Sequence, residues 1–372
     1  MQEQTIAPDV RELIEKARRG SATADSEEAL STEVVDLLRA SGAADVFAPY
    51  RDDNRPTFRG LTSTLVELGE ACASTSWLAS VYSYNGRICR YFSAEGQAVI
   101  WNGEDRPLIS SGLMPMGSLR HTDGGVVVGG TWRYVSGLTH ADWVVLTARG
   151  DEEPEPRNWL VAMPVNDVTH EKTWNALGLR ATNSDSARVD DIFVPNHLVT
   201  PHNYLVAGTT PVDGKHAWNL PLPAVGALTF AAPALGATSA LLTALVDNAI
   251  ARNGASTPPP HVLAPLAEAA ASVRTARATL LSVADRLDVG RDSLVVADTA
   301  HDCAFAAELC RRALVPLGAL MGTGFLAHPN GIQRHWRDAQ ISLTHAALGI
   351  EKPNVALWRA ITTPQKRQEQ QR

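Results

Sequence analysis

The sequence predicts an α+β protein, mainly α, made of an N-terminal helical domain, a middle β-barrel or sandwich domain and a C-terminal four-helix bundle. Three observations carry this. Helical apolar spacing runs from Val10 to about Ile100, short β-rich pieces follow Trp101, and long Ala-rich helical stretches follow Pro221. Helices, strands and helices in blocks, without alternation, exclude a doubly wound parallel sheet. The expected domains are residues 1–104, 105–215 and 216–372.

In the first block, SEEALSTEVVDLLRASGAADV reads as a helix with Ser26 as candidate N-cap, and residues 61–92 read as one long, mostly apolar helix. The strands are expected in GGVVVGGTWRYVSG, DWVVLTA, NWLVAMPV and SARVDDIFVP, punctuated by Gly, Pro and Asp. The glycines of GGVVVGG flank a strand and do not lead from a strand into a helix, so they are hairpin ends and not a dinucleotide fingerprint. GALMGTGFLAH reads as close helix packing. The bundle helices are expected over residues 228–253, 262–287, 293–321 and 331–349, broken at STPPPH and at VGRD. In the last of them, a helical repeat aligns Arg334, Asp338, Ile341 and His345 on one stripe, with Arg334 and Asp338 spaced for an ion pair.

A net charge of −7 leaves no electrostatic footprint for nucleic acid. The start, MQEQTIAPDVRELIEKARRG, has no apolar signal core, and no apolar run approaches the roughly 20 residues that cross a bilayer, so a cytoplasmic protein without a membrane partner is expected. Cys72, Cys89, Cys303 and Cys310 form no C-x-x-C and read as buried thiols. Neither H-E-x-x-H nor G-x-S-x-G occurs, so no metal site or serine hydrolase is expected.

Four segments, in order and on matching element types, resemble the acyl-CoA dehydrogenase fold: ACASTSW (71–77), GGTWRYVSGLTHADWVVLTA (129–148), TWNALGLRATNSDSARVDDIFVP (173–195) and GIQRHWRDAQISLTHA (331–346). Within that fold the chain is similar to the oxygenase components of two-component aromatic hydroxylases, and the resemblance covers nearly its whole length. It implies a flavin-dependent monooxygenase that uses reduced FMN or FAD and O2 to hydroxylate an aromatic or polycyclic small molecule through a C4a-hydroperoxyflavin. It further implies a separate NAD(P)H flavin reductase and a homotetramer.

The same resemblance assigns residues. Ser136 and Gly137 form a turn facing the flavin, Ser136 near its N5, with Trp132 and Tyr134 on the strand before it. Core packing is the plainer reading of those two aromatics, as a surface turn is of His140. Thr182, Asn183 and Ser184 offer short polar groups to the flavin, although an ordinary polar loop would look alike. Trp77, Tyr84, Asn85 and Ser111 are expected at the substrate. Related hydroxylases of small phenols carry a histidine just after ACASTSW, where this chain has Tyr84 and Asn85, so a simple hydroxyphenyl acid is not the expected substrate.

Dehydrogenases of this fold need a carboxylate base, many of them in R-D-A-x-x-x-x-x-Y-E-G. Laid on RDAQISLTHAALG, that pattern puts His345 at the Tyr and Ala346 at the Glu, with Glu351 too far round a helix to substitute. His345 instead matches the oxygenase pattern, as a base for the substrate or a hydrogen-bond partner of the oxygenated flavin. The competing readings are an acyl-CoA dehydrogenase-type desaturase, an N-hydroxylase of an amino group on a nucleotide sugar, and a catalytically silent binding protein.

Overall fold

The computed structural model describes residues 8–49, 57–102, 106–152, 154–155, 157–210, 219–254, 256–290, 295–327 and 329–362. The boundaries expected at 104/105 and 215/216 lie outside the described residues.

The first block holds α1 (Pro8–Glu27), α2 (Thr32–Ala40), α3 (Phe58–Ala71), α4 (Ala73–Cys89) and α5 (Ala94–Ile100). Ser26 is not a cap. It sits in the last turn of α1, and Ser31 caps α2 by accepting from the Val34 N–H at 3.4 Å. The apolar run 61–92 is two helices, because Cys72 is extended (φ −155°, ψ 109°) and breaks α3 from α4. Apolar spacing continues through that break, so periodicity alone does not reveal it. Every residue of α4 is buried, which makes it the axle on which the other blocks turn.

The middle block is one continuous seven-stranded mixed sheet in the order β5-β6-β2-β1-β3-β4-β7. Its strands are β1 (Ile109–Thr122), β2 (Gly125–Val135), β3 (Trp143–Arg149), β4 (Asn158–Pro164), β5 (Thr169–Glu171), β6 (Asp185–Pro195) and β7 (Val199–Pro201). β1 and β3 are parallel and the other pairs antiparallel. β1, with its Met-Pro-Met, breaks the usual alternation and shifts register between Gly112 and Gly117. β2 shifts register against β6 between Trp132 and Val135. This second irregularity directs the strand's end toward the site.

After α6 (His202–Ala207) come α7 (Leu222–Asn253), α8 (Pro260–Val289), α9 (Val296–Ala319), α10 (Thr323–Leu326), α11 (Gly331–Ser342) and α12 (Glu351–Thr362). α7 is long and apolar enough to cross a membrane by composition, yet 78% of that window is buried inside the protein. A helix apolar all round belongs at the centre of a bundle, and α7 packs on α3, α4, α8, α9 and α11. The expected stripe of Arg334, Asp338, Ile341 and His345 does not form on one helix. α11 ends at Ser342, and His345 is extended (φ −60°, ψ 133°) and caps a single 3₁₀ turn, Ala346–Leu348.

Candidate active site

Three elements meet around the indole of Trp77 on α4. Its Nε1–H donates to Ser136 Oγ at 3.1 Å, at the end of β2. Its ring meets His345 edge-on at 5.7 Å and Phe230 of α7 at 5.1 Å, and Phe230 stacks on the His345 imidazole at 3.5 Å between centroids. Phe230 is the one aromatic residue of α7, in an otherwise aliphatic helix. The helical blocks therefore contribute an aromatic triad to the site.

The strand side of the site is polar. Ser136 Oγ lies 2.7 Å from Ser184 Oγ, which lies 2.8 Å from Thr182 Oγ1, which donates to the Leu179 carbonyl at 2.9 Å. The turn after Ser136 needs glycine: Gly137 has φ +73°, and a Cβ there would stand 2.3 Å from the Tyr82 hydroxyl. Its N–H donates to the Thr182 carbonyl at 2.9 Å and its carbonyl accepts from Tyr82 at 2.7 Å. The loop 177–184 is thereby tied to the turn at both backbone and side chain.

His345 is partly buried, and that burial pushes its imidazole down to about 4. The ring is neutral at neutral pH. Nδ1 accepts from the Ala347 N–H at 3.2 Å, so the ring hydrogen resides on Nε2 and the free end of the imidazole is a donor. Of the two roles that the sequence leaves open for His345, base and hydrogen-bond partner, the hydrogen on Nε2 matches the second. Asp338 is fully buried and accepts from the Leu179 N–H at 2.7 Å; burial raises its carboxyl to about 6. The expected Arg334–Asp338 ion pair is not made: Arg337 binds Asp25 of α1 instead, at 2.6 Å.

Several expected site residues lie elsewhere. Trp132 is fully buried and donates to the Thr147 carbonyl at 2.7 Å, as a core residue of the sheet. Two-residue alternation would put Tyr134 on the same side, but the register shift turns it outward, 73% exposed and edge-on to Trp174. Tyr84 is seven residues, about 10 Å, along α4 from Trp77. There it packs on Phe47 and Phe58. Asn85 and Ser111 bond each other at 2.8 Å, and Asn85 donates to the Ile109 carbonyl, fastening α4 to β1. His140 is not a surface residue; its Nε2 is enclosed without a partner, and burial lowers its pKa. A cavity of about 210 Å³ between α1, α2 and the start of α4 includes none of the triad or the hydroxyls. Sequence reasoning missed Phe230 as a site residue; its solitary place in an aliphatic helix was the available signal.

The family description "Acyl-CoA dehydrogenase, C-terminal domain" matches residues 228–349. The FADH(2)-dependent resorcinol hydroxylase, oxygenase component, of Rhizobium sp. (strain MTP-10005) is 30% identical, over 84% of this chain and 82% of that protein. The chain belongs to the flavin-dependent monooxygenases of the acyl-CoA dehydrogenase fold. Among solved members, the 3-HSA hydroxylase of Rhodococcus sp. RHA1 has a TM-score of 0.87 at 24% identity, covering 93% of this chain and 94% of that one. XiaF from Streptomyces sp., in complex with FADH2 and glycerol, has a TM-score of 0.83 at 25% identity, covering 93% and 94%. As a flavin-dependent monooxygenase the protein takes reduced flavin, and its residues fit that group. Ser136 offers a hydroxyl oxygen, and Asn183 presents a buried Oδ1 that has no partner in the protein while its Nδ2 donates to the Glu28 carbonyl. At the position where many dehydrogenases of this fold carry their carboxylate base stands Ala346, and Glu351 is exposed.

Proposed function

We propose that this monooxygenase hydroxylates a phenolic aromatic ring held against the surface formed by Trp77, Phe230 and His345. The carrying observation is the neutral imidazole stacked on Phe230, against the same Trp77 that bonds Ser136, with its hydrogen on Nε2. Reduced flavin, when bound, supplies the electrons that activate O2. Trp77 and Phe230 offer flat apolar surface to a ring, and the Nε2–H of His345 donates to a phenol or phenolate oxygen, orienting it without carrying charge. The burial that lowers the His345 pKa also excludes water, which favours oxygen transfer to substrate over release of hydrogen peroxide. Ser136 and Asn183 hold the flavin side.

We propose FAD as the flavin, on the strength of the FADH(2)-dependent hydroxylase relative and the FADH2 complex of XiaF. A separate flavin reductase supplies it. The assembly is a homotetramer, supported by the apolar residues Val355, Trp358 and Ile361 exposed on α12, which packs on α9, where Val315 is exposed too. Light scattering on the purified protein reads that mass directly.

The test supplies chemically reduced FAD or FMN, O2 and a panel of phenols and fused-ring aromatics, and measures product against hydrogen peroxide. Oxygenated product from an aromatic is expected. Reduction of bound FAD by an acyl-CoA thioester, with no oxygenated product from any aromatic, would defeat the reading in favour of a dehydrogenase.

A further inference from the structure

The hydroxyls beside Trp77 form a chain whose two ends have opposite and fixed hydrogen-bonding character. At one end the Trp77 indole is a donor only, and its N–H meets Ser136 Oγ. At the other end the Leu179 carbonyl is an acceptor only, and it receives Thr182 Oγ1. Each hydroxyl between them has a single hydrogen. Thr182 spends its own on Leu179, so Ser184 donates to Thr182 and Ser136 donates to Ser184. Every hydrogen in the chain points away from Ser136, whose oxygen keeps one unoccupied lone pair.

The far end is held firmly. Leu179 has φ +52°, in the left-handed region that a leucine rarely adopts. Its N–H is fixed by the Asp338 carboxyl at 2.7 Å, and its carbonyl also accepts from Trp174 Nε1 at 3.0 Å and from the Thr182 N–H at 3.1 Å. Gly178 lies so close to α11 that a Cβ would stand 2.3 Å from the Arg337 carbonyl oxygen, and Arg337 Nη1 donates to the Leu177 carbonyl at 2.6 Å. A residue held at both its N–H and its carbonyl keeps that carbonyl in place.

We propose that Thr182 and Ser184 are positioning residues that, anchored through Leu179 by Asp338, hold Ser136 as a hydrogen-bond acceptor and so make the site prefer reduced over oxidised flavin. The inference rests on the flavin-dependent reading above and on Ser136 facing N5 of the bound flavin. Reduced flavin carries a hydrogen on N5 that an acceptor oxygen welcomes. Oxidised flavin has a bare nitrogen there and needs a donor, which this chain withholds. Discrimination thus comes from the direction of a hydrogen-bond chain, without added charge. It suits an oxygenase that must collect reduced flavin and release the oxidised form.

Thr182→Val removes the link to Leu179 while keeping the backbone carbonyl that receives Gly137, and Ser184→Ala interrupts the chain one step nearer Ser136. Either frees the Ser136 hydrogen to face the site. Anaerobic titration with oxidised FAD and with dithionite-reduced FAD, followed by tryptophan fluorescence, gives the affinity ratio. In both variants the ratio is expected to move about ten-fold toward oxidised FAD, the size of one hydrogen bond, while Thr182→Ser stays at wild type. An unchanged ratio in either variant, with melting temperature and circular dichroism preserved, overturns the proposal and leaves the flavin reading intact. Wild-type protein that binds neither form overturns both.

Discussion

The two sides of the site are built by different physics. The wall of β2 and the loop 177–184 is a mesh of short directional bonds, with Gly137, Leu179 and Asn183 all at positive φ. The helical wall of Trp77, Phe230 and His345 is stacked rings with little hydrogen bonding beyond Trp77 to Ser136 and the Ala347 cap. Directional bonds tolerate little displacement, which suits a cofactor of constant shape. Stacked surfaces tolerate ligands of differing outline, which suits a wall that decides among substrates.

That contrast is broken most severely at Gly137. A valine there meets the Tyr82 hydroxyl and a positive φ together, so Gly137→Val is expected to cost about 4 kcal/mol and abolish flavin binding. Chemical denaturation and a flavin titration check it; near-normal binding would show that the turn is not rigid.

The next effect is pH dependence. Burial holds His345 and His335 near 4, against 6.5 for a free imidazole. Between about 6.5 and 4 the unfolded chain takes up these protons first, so stability falls as pH is lowered through that window, by up to about 3 kcal/mol for each histidine. Asp338, raised to about 6, works against this trend, because its folded carboxyl takes up a proton before the unfolded one. Thermal melting from pH 4 to 7.5 should therefore show a shallower slope for His345→Gln than for wild type. Product formation should show no inflection near 6.5 from His345; one that disappears in the His345→Gln variant would restore the base role.

Phe230→Ala sharpens the comparison on the aromatic wall. A cost of about 2 kcal/mol is expected for this half-buried ring. With the stacking face gone, the His345 pKa should rise toward 6.5 in an NMR titration, and product should fall relative to hydrogen peroxide while reduced flavin still binds. Loss of flavin affinity would mean that the two walls are not separable. The smallest effect belongs to Ser111→Ala, about 1 kcal/mol for one lost hydrogen bond to Asn85, with product formation and substrate affinity unchanged.

How much of this could be read beforehand depends on whether a signal is local. The turn at Ser136–Gly137 and the polar run Thr182–Ser184 announce themselves by residue type. Trp132 does not: whether a strand aromatic faces a ligand or the core depends on the pleat, and the register shift that separates Trp132 from Tyr134 is made by pairing with β6. His345 looked like the last residue of a helical stripe because the apolar spacing of 331–349 passes unbroken over the end of α11 at Ser342. Asp338 spaced well with Arg334, yet its partner is a backbone amide 159 residues earlier.

From the chain alone come the three blocks, the exclusion of a dinucleotide fold and the family, because periodicity, composition and short motifs are properties of neighbouring residues. Which hydroxyl donates to which, which aromatic joins His345, and why that histidine stays neutral were decided only in three dimensions. Hydrogen-bond direction and desolvation depend on groups far apart in sequence, and only the packed molecule brings them within 3 to 6 Å of one another.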